Sequence, residues 1–139
     1  DFYNKAKWKV LIAWLWLWVI WNAVANKSEV TEVVIIEKSR DVIKLVWPYM
    51  HEKVKVIHSD IFKYNTSEIF DYWWFDIWLS ISTNNLKAFE KLRKQFGSNI
   101  KDIWFWAENE CLWMVEQIEK MRLMAEAGGV KIPKRLLKI

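Results

Sequence analysis

Glycine, proline and cysteine are all scarce in this chain. Its 139 residues include 3 glycines, 2 prolines and 1 cysteine. A single cysteine, Cys111, excludes an intrachain disulfide and is typical of a reducing compartment, so we expect a cytoplasmic protein. At the average usage near 7%, a chain of this length would hold about 10 glycines. Backbone turns that usually need glycine must therefore be made by other residues.

The sequence also lacks an apolar segment long enough to span a membrane. Residues 10–25 form an apolar stretch of 16 residues in which only Asn22 is clearly polar. A transmembrane helix needs about 20 such residues. No charged segment followed by a cleavage site is visible, so we also expect no signal peptide. These features predict a protein without a membrane span.

Basic residues are concentrated in the last nine positions, which contain four of them and no acid. The rest of the chain is neutral, with 53% apolar and 27% charged residues overall. This composition predicts one globular domain over residues 1–127 and a short basic tail over 128–139. The tail is either a solvated end or a segment attracted to phosphate, which leaves nucleic acid open as a partner.

Short apolar runs alternate with helix-like segments along the chain. This alternation is typical of an α/β domain with a mainly parallel sheet covered on both faces. The predicted strands are residues 9–14, 32–37, 54–58, 71–76 and 101–106. Helices are predicted between 18 and 27, after Ser39, between 84 and 97, and over 109–127. Their core-facing stripes are Val42, Leu45, Val46 and Tyr49; Leu86, Phe89, Leu92 and Phe96; and Cys111, Met114, Val115, Ile118 and Met121.

Acids stand at or just beyond the ends of three predicted strands: Glu37, Asp60 and Asp76. In an open parallel sheet, ligands bind beyond the carboxyl ends of the strands. Glu37 lies 19 residues after Trp18, close to the spacing of about 20 for a ribose-binding acid. The alternative is that these acids are solvated or cap the following helices. Neither His51 nor His58 has a cysteine or acid cluster at ligand spacing, so no metal site is predicted.

Taken together, the segments 9–19, 30–39, 53–62 and 70–76 resemble class I S-adenosylmethionine-dependent methyltransferases and spermidine synthase-like proteins. The resemblance covers about residues 8 to 110. It implies a three-layer Rossmann-like domain with strand order 3-2-1-4-5, shortened at its C-terminal edge. It also implies that S-adenosylmethionine is the cofactor and that Asp76 is the catalytic group that helps to deprotonate the acceptor. The cofactor-binding residues that it implies are Trp14, Leu15, Trp16, Glu37, Lys38, Asp60 and Ile61.

The first loop departs from the pattern of this family. Relatives have glycines where this chain has Trp14, Trp16 and Trp18, because the backbone there lies directly against the ligand. Trp8, Trp21 and Trp47 also stand in turn-like contexts. We therefore hypothesise that several of the 12 tryptophans occupy positions that belong to glycine. The indoles either repack outward or block the adenosyl site.

The function predicted from the sequence is a methyl or aminopropyl transferase that uses a small-molecule donor and an unknown acceptor. The tryptophan-containing loop would inactivate it if the indoles fill the cofactor site. The alternative, given about equal weight, is a non-catalytic structural or interaction domain that retains the fold. Only one short strand fits after residue 127, so the acceptor side is either reduced or completed by a partner chain, as in a homo-oligomer.

Overall fold

The computed structural model describes residues 2–15 and 18–130. Five strands and five helices lie along these ranges, and they alternate except that the fourth strand follows the third without a helix between them. The strands are β1 (Trp8–Ala13), β2 (Val30–Glu37), β3 (Val54–His58), β4 (Phe70–Phe75) and β5 (Ile100–Phe105). The helices are α1 (Phe2–Lys5), α2 (Trp18–Ala25), α3 (Arg40–Val46), α4 (Asn85–Phe96) and α5 (Glu108–Ala127). A 3-10 turn, Trp47–Tyr49, follows α3.

The strands form one parallel sheet in the order β3-β2-β1-β4-β5. This confirms the predicted strand order, and each strand lies within two residues of its predicted bounds. The central strand, β1, has four consecutive buried residues, and β2 has five. Such continuous burial is expected for strands that helices cover on both faces.

The described residues fall into two compact units. The first unit contains Asp1–Ile77 and Leu92–Trp106, and therefore holds the whole sheet. The second contains Trp78–Lys91 and Ala107–Ile139, and α5 belongs to it. Within the second unit, the Trp78 and Phe89 rings meet edge to face with centroids 4.5 Å apart.

One face of the sheet packs on the N-terminal helices. Val10, Ile12, Val33 and Ile35 are buried on this face. The helix residues of the same cluster are Phe2, Trp21, Val24 and Ala25, with Val42, Ile43 and Val46 of α3 packed against it. Leu45 and Tyr49, which were predicted to face the core, are 63% and 69% exposed. That part of the prediction is wrong, because only one side of the short α3 helix reaches the sheet.

The opposite face of the sheet packs on the C-terminal half of α4. The Phe96 ring lies 4.4 Å from Trp73 and 6.2 Å from Phe75, measured between ring centroids. Leu92 is fully buried beside it. Aromatic packing of this kind adds about 0.5–1.5 kcal/mol per pair beyond the area that it buries. The Leu92 and Phe96 part of the predicted apolar stripe is therefore confirmed as a core face.

A side-chain cap and a proline explain where α3 begins and ends. The Ser39 hydroxyl accepts a hydrogen bond from the Val42 N–H at 3.3 Å, which is the predicted N-cap of α3. Pro48 then stands in the 3-10 turn, where it ends the regular helix.

In α5, Cys111 is buried, but Met121, also predicted to face the core, is 61% exposed. Met114, Val115 and Ile118 are half-buried, so the apolar stripe is at least partly covered along the first half of α5.

Two tryptophans have the backbone conformation that glycine favours. The φ angle is 57° at Trp8 and 98° at Trp14, the residues that begin and follow β1. Bulky residues rarely take positive φ because the Cβ atom crowds the backbone. Two of the remaining suspected positions differ: Trp21 lies inside α2, and Trp47 has a φ of −45°. The prediction of a turn at Trp21 is wrong.

No helix in residues 2–15 and 18–130 is both long enough and apolar enough to cross a lipid bilayer.

Two buried tryptophans provide a matched test of an indole hydrogen bond. Trp21 and Trp73 are both fully buried. The Trp21 indole N–H donates to the Leu15 carbonyl at 3.1 Å, whereas that of Trp73 has no partner among the described residues. We expect Trp21→Phe to lower the free energy of unfolding by about 1–3 kcal/mol more than Trp73→Phe, because only the first change breaks a buried hydrogen bond. Urea denaturation measures both, and equal losses would contradict the assignment.

Candidate functional site

The carboxyl ends of the four strands β1 to β4 lie at one edge of the sheet. Strand pairing places Ala13 beside Ile36 and Phe75, and Glu37 beside His58. Hydrogen bonds continue the ladder past the strands: the Trp14 N–H donates to the Ile36 carbonyl at 3.0 Å. The segments that begin at Trp14, Glu37, Ser59 and Asp76 are therefore neighbours, as predicted for parallel strands.

A pocket of about 240 Å³ opens at this edge. Both polar or charged residues and apolar residues line it. The lining residues are Trp14, Ile36, Glu37, Lys38, Ser59, Asp60, Ile61, Phe62 and Ile77. Five of the predicted cofactor-binding residues are thus brought together around one cavity. Ile36, Ser59, Phe62 and Ile77 were not predicted, although each directly flanks a predicted residue or a strand end.

Glu37 is a buried carboxylate with a backbone donor on each oxygen. It is only 3% exposed. The Leu15 N–H donates to Oε2 at 2.9 Å, and the Ser39 N–H donates to Oε1 at 2.6 Å. A buried charge needs such partners, since leaving it unpaired costs several kcal/mol. Glu37 therefore fixes the loop after β1 and the start of α3, and its role toward ribose stays a prediction.

Asp60 presents a charged carboxylate to the pocket. The Phe62 N–H donates to Oδ1 at 3.0 Å, and the Lys38 ammonium lies 3.2 Å from Oδ2. The Phe62 hydrogen bond and the Lys38 charge hold the pKa of Asp60 below its ordinary value, against the opposing effect of burial. Asp60 is therefore ionised at neutral pH and accepts hydrogen bonds. Lys38 itself is 78% exposed, so this ion pair adds little stability.

Ile61 combines a buried side chain with an available backbone donor. Its side chain is buried, and its carbonyl accepts a hydrogen bond from Gln95 Nε2 at 3.0 Å. Within the described part of the chain, no backbone carbonyl accepts from the Ile61 N–H. A charged acceptor and a donor in consecutive residues can recognise a ring edge that carries an amine next to a ring nitrogen.

Asp76 follows β4 and is shielded from solvent. It is 5% exposed, and burial raises its pKa to about 6. A carboxyl with such a pKa exchanges its proton near neutral pH. Asp76 does not itself line the pocket, but the next residue, Ile77, does. The structure therefore places the predicted catalytic carboxylate beside the pocket rather than in its wall.

The predicted cofactor loop is described only in part. Trp14 lines the pocket, while Leu15 is fully buried and contributes its backbone N–H to Glu37. The prediction for Trp16 lies outside the described residues, as does most of the basic tail. Over residues 2–15 and 18–130, no group of three potential ligand side chains is arranged to hold a metal ion.

No protein-family model and no curated protein matches this sequence.

Solved structures, however, share its fold. The DhpI protein in complex with SAH has a TM-score of 0.56 at 14% identity, over 73% of this chain and 50% of that one. An S-adenosylmethionine-dependent methyltransferase from Clostridium acetobutylicum has a TM-score of 0.54 at 15% identity, over 74% and 44%. Spermidine synthase from Thermotoga maritima has a TM-score of 0.50 at 14% identity, over 72% and 36%.

These likenesses define the fold as that of class I S-adenosylmethionine-dependent methyltransferases and spermidine synthase-like proteins. The three-layer Rossmann-like architecture predicted from the sequence is thereby confirmed. The chain spans half or less of the length of each of these solved proteins. At such identities the comparison concerns architecture, and the chemistry must be argued from the residues of the pocket.

The raised pKa of Asp76 predicts a specific pH dependence of stability. The folded protein binds this proton more tightly than the unfolded chain, whose aspartates titrate near about 3.9. The stability that this group contributes is therefore complete below about pH 4 and is lost as the pH rises through about 6. We expect Asp76→Asn to gain stability relative to the parent protein over this interval, by at most about 3 kcal/mol.

Urea denaturation at several pH values measures this difference. Glu52→Gln, at an exposed turn position, serves as the control and should show no such trend. Parallel stability curves for the parent and Asp76→Asn would contradict the assigned environment of Asp76.

Proposed function

We propose that this domain is of the S-adenosylmethionine-dependent transferase type and binds the adenine nucleoside part of its donor in the pocket beside Asp60. The observation that carries the proposal is the pairing of an ionised acceptor with the Ile61 N–H in consecutive residues that line one cavity. Adenine has an exocyclic amine next to a ring nitrogen, and this edge complements that pair.

Apolar side chains suit the flat faces of such a base. Ile36, Ile61, Phe62 and Ile77 line the cavity, and small-ligand sites commonly combine apolar walls with a few polar groups that orient the ligand. Glu37 lines the same cavity. Each of its oxygens accepts one backbone hydrogen bond, and a carboxylate has about four acceptor positions, so it can still accept from ribose hydroxyls. These residues fit the nucleoside half of the donor.

The transfer itself would move a methyl or aminopropyl group to an unknown acceptor, and this activity is still a prediction. When bound, the donor supplies an electrophilic carbon attached to a sulfonium sulfur. Asp76 lies at the same edge of the sheet, and burial raises its pKa to about 6. It would take the proton that the acceptor nitrogen loses as the new bond forms. The cytoplasmic location and the partner subunit expected from the sequence also remain proposals.

A second candidate function is a non-catalytic domain that keeps the fold. The position of Trp14 in the pocket wall is the observation that favours it, because an indole there reduces the space for a ligand. The two candidates differ in one measurable respect, which is whether a nucleoside binds at all.

Calorimetric titration with adenosine tests the nucleoside site. We expect saturable binding to the parent protein and an affinity about tenfold or more lower in Asp60→Ala, because a hydrogen bond to a charged group contributes about 1.5–3 kcal/mol. Glu52→Ala, an exposed acid outside the pocket, is the matched control and should bind like the parent. Absence of binding to the folded parent protein would rule out the nucleoside site and favour the non-catalytic domain.

A further inference from the structure

Trp14 is held in a conformation that its own side chain disfavours. Its φ angle is 98°, outside the regions that bulky residues populate. Such a conformation is energetically unfavourable and persists only when the surroundings impose it. Glycine takes the same angles without this cost because it has no Cβ atom.

Hydrogen bonds on both sides of this residue impose the conformation. The Trp14 N–H donates to the Ile36 carbonyl at 3.0 Å. The next residue, Leu15, donates its N–H to Glu37 at 2.9 Å and accepts from the Trp21 indole at 3.1 Å. The backbone at Trp14 therefore cannot relax without breaking buried hydrogen bonds.

Trp14 also lines the pocket, whose volume is about 240 Å³. Its side chain is the largest among the residues that line this cavity. Pockets that bury a whole cofactor-sized ligand usually have about 300–1,000 Å³. The present volume suits a nucleoside fragment better than a nucleoside that carries a complete amino-acid side arm. Hydrogen bonds fix the backbone at position 14. A substitution there therefore changes the pocket volume mainly through the size of the side chain.

We propose that the residue at position 14 determines how large a ligand the site accepts. With tryptophan, the pocket admits an adenine nucleoside and excludes the amino-acid half of an adenosyl donor. With glycine, it admits the whole donor and the backbone strain is relieved. This proposal rests on the proposed nucleoside site, and it assigns a specificity-determining role to Trp14.

The test compares two probes, adenosine and S-adenosylhomocysteine, on the parent protein, Trp14→Gly and Trp14→Ala. We expect the parent to bind adenosine. Its affinity for S-adenosylhomocysteine should be at least about tenfold lower than that of Trp14→Gly, because removing the indole relieves overpacking. Trp14→Ala should gain much of the same affinity, because it also removes the indole. Adenosine affinity should differ little among the three proteins.

Stability provides a second readout that pocket size alone would not change. Trp14→Gly should be more stable to urea than Trp14→Ala, because alanine keeps a Cβ atom at the positive φ. Trp47→Gly is the matched control, since Trp47 is 64% exposed and has a φ of −45°. Glycine there should lower stability by increasing the freedom of the unfolded chain.

The outcomes separate this proposal from the proposed function. If adenosine binds all three proteins but Trp14→Gly gains no affinity for S-adenosylhomocysteine, the role of position 14 is refuted and the nucleoside site stands. If adenosine binds neither the parent nor Trp14→Gly, both proposals are refuted. A Trp14→Gly protein less stable than Trp14→Ala would refute the strain at this position.

Discussion

A single buried carboxylate connects the parts that make up the carboxyl edge of this sheet. Glu37 ends β2 and accepts backbone hydrogen bonds from Leu15, which follows β1, and from Ser39, which caps α3. At 3% exposure, this charge is stable only with such partners. The position of the first loop, and with it the pocket wall at Trp14, therefore depends on Glu37.

Two further acids at the same edge differ in pKa because their surroundings differ. Asp60 has a backbone donor and a lysine, which lower its pKa, whereas burial alone raises that of Asp76 to about 6. Sites that need both a charged acceptor and a proton-transfer group commonly separate the pKa values of two carboxyls in this way. The edge thus holds one group suited to binding and another suited to proton transfer.

The sequence predicts the sheet well because strands covered on both faces leave continuous apolar runs, and parallel strands bring their terminal acids together. It does not predict the partners of Glu37, since a fixed spacing shows where an acid lies but not which N–H groups reach it. It also places Leu45 and Met121 in the core, although both are exposed. Helical periodicity identifies an apolar stripe but not how much of it a neighbour covers. The positive φ at Trp14 occurs where the resemblance expects glycine.

Amide hydrogen exchange tests the anchoring role of Glu37 most directly. In the parent protein, the Leu15 and Ser39 amides should exchange slowly because the carboxylate accepts both hydrogen bonds. In Glu37→Ala, the same two amides should exchange about tenfold or more faster, the effect of losing roughly 1.4 kcal/mol of local protection. The amides of Val33 and Ile35 within β2 should stay protected. Unchanged exchange at Leu15 and Ser39 would show that the loop keeps its place without the carboxylate.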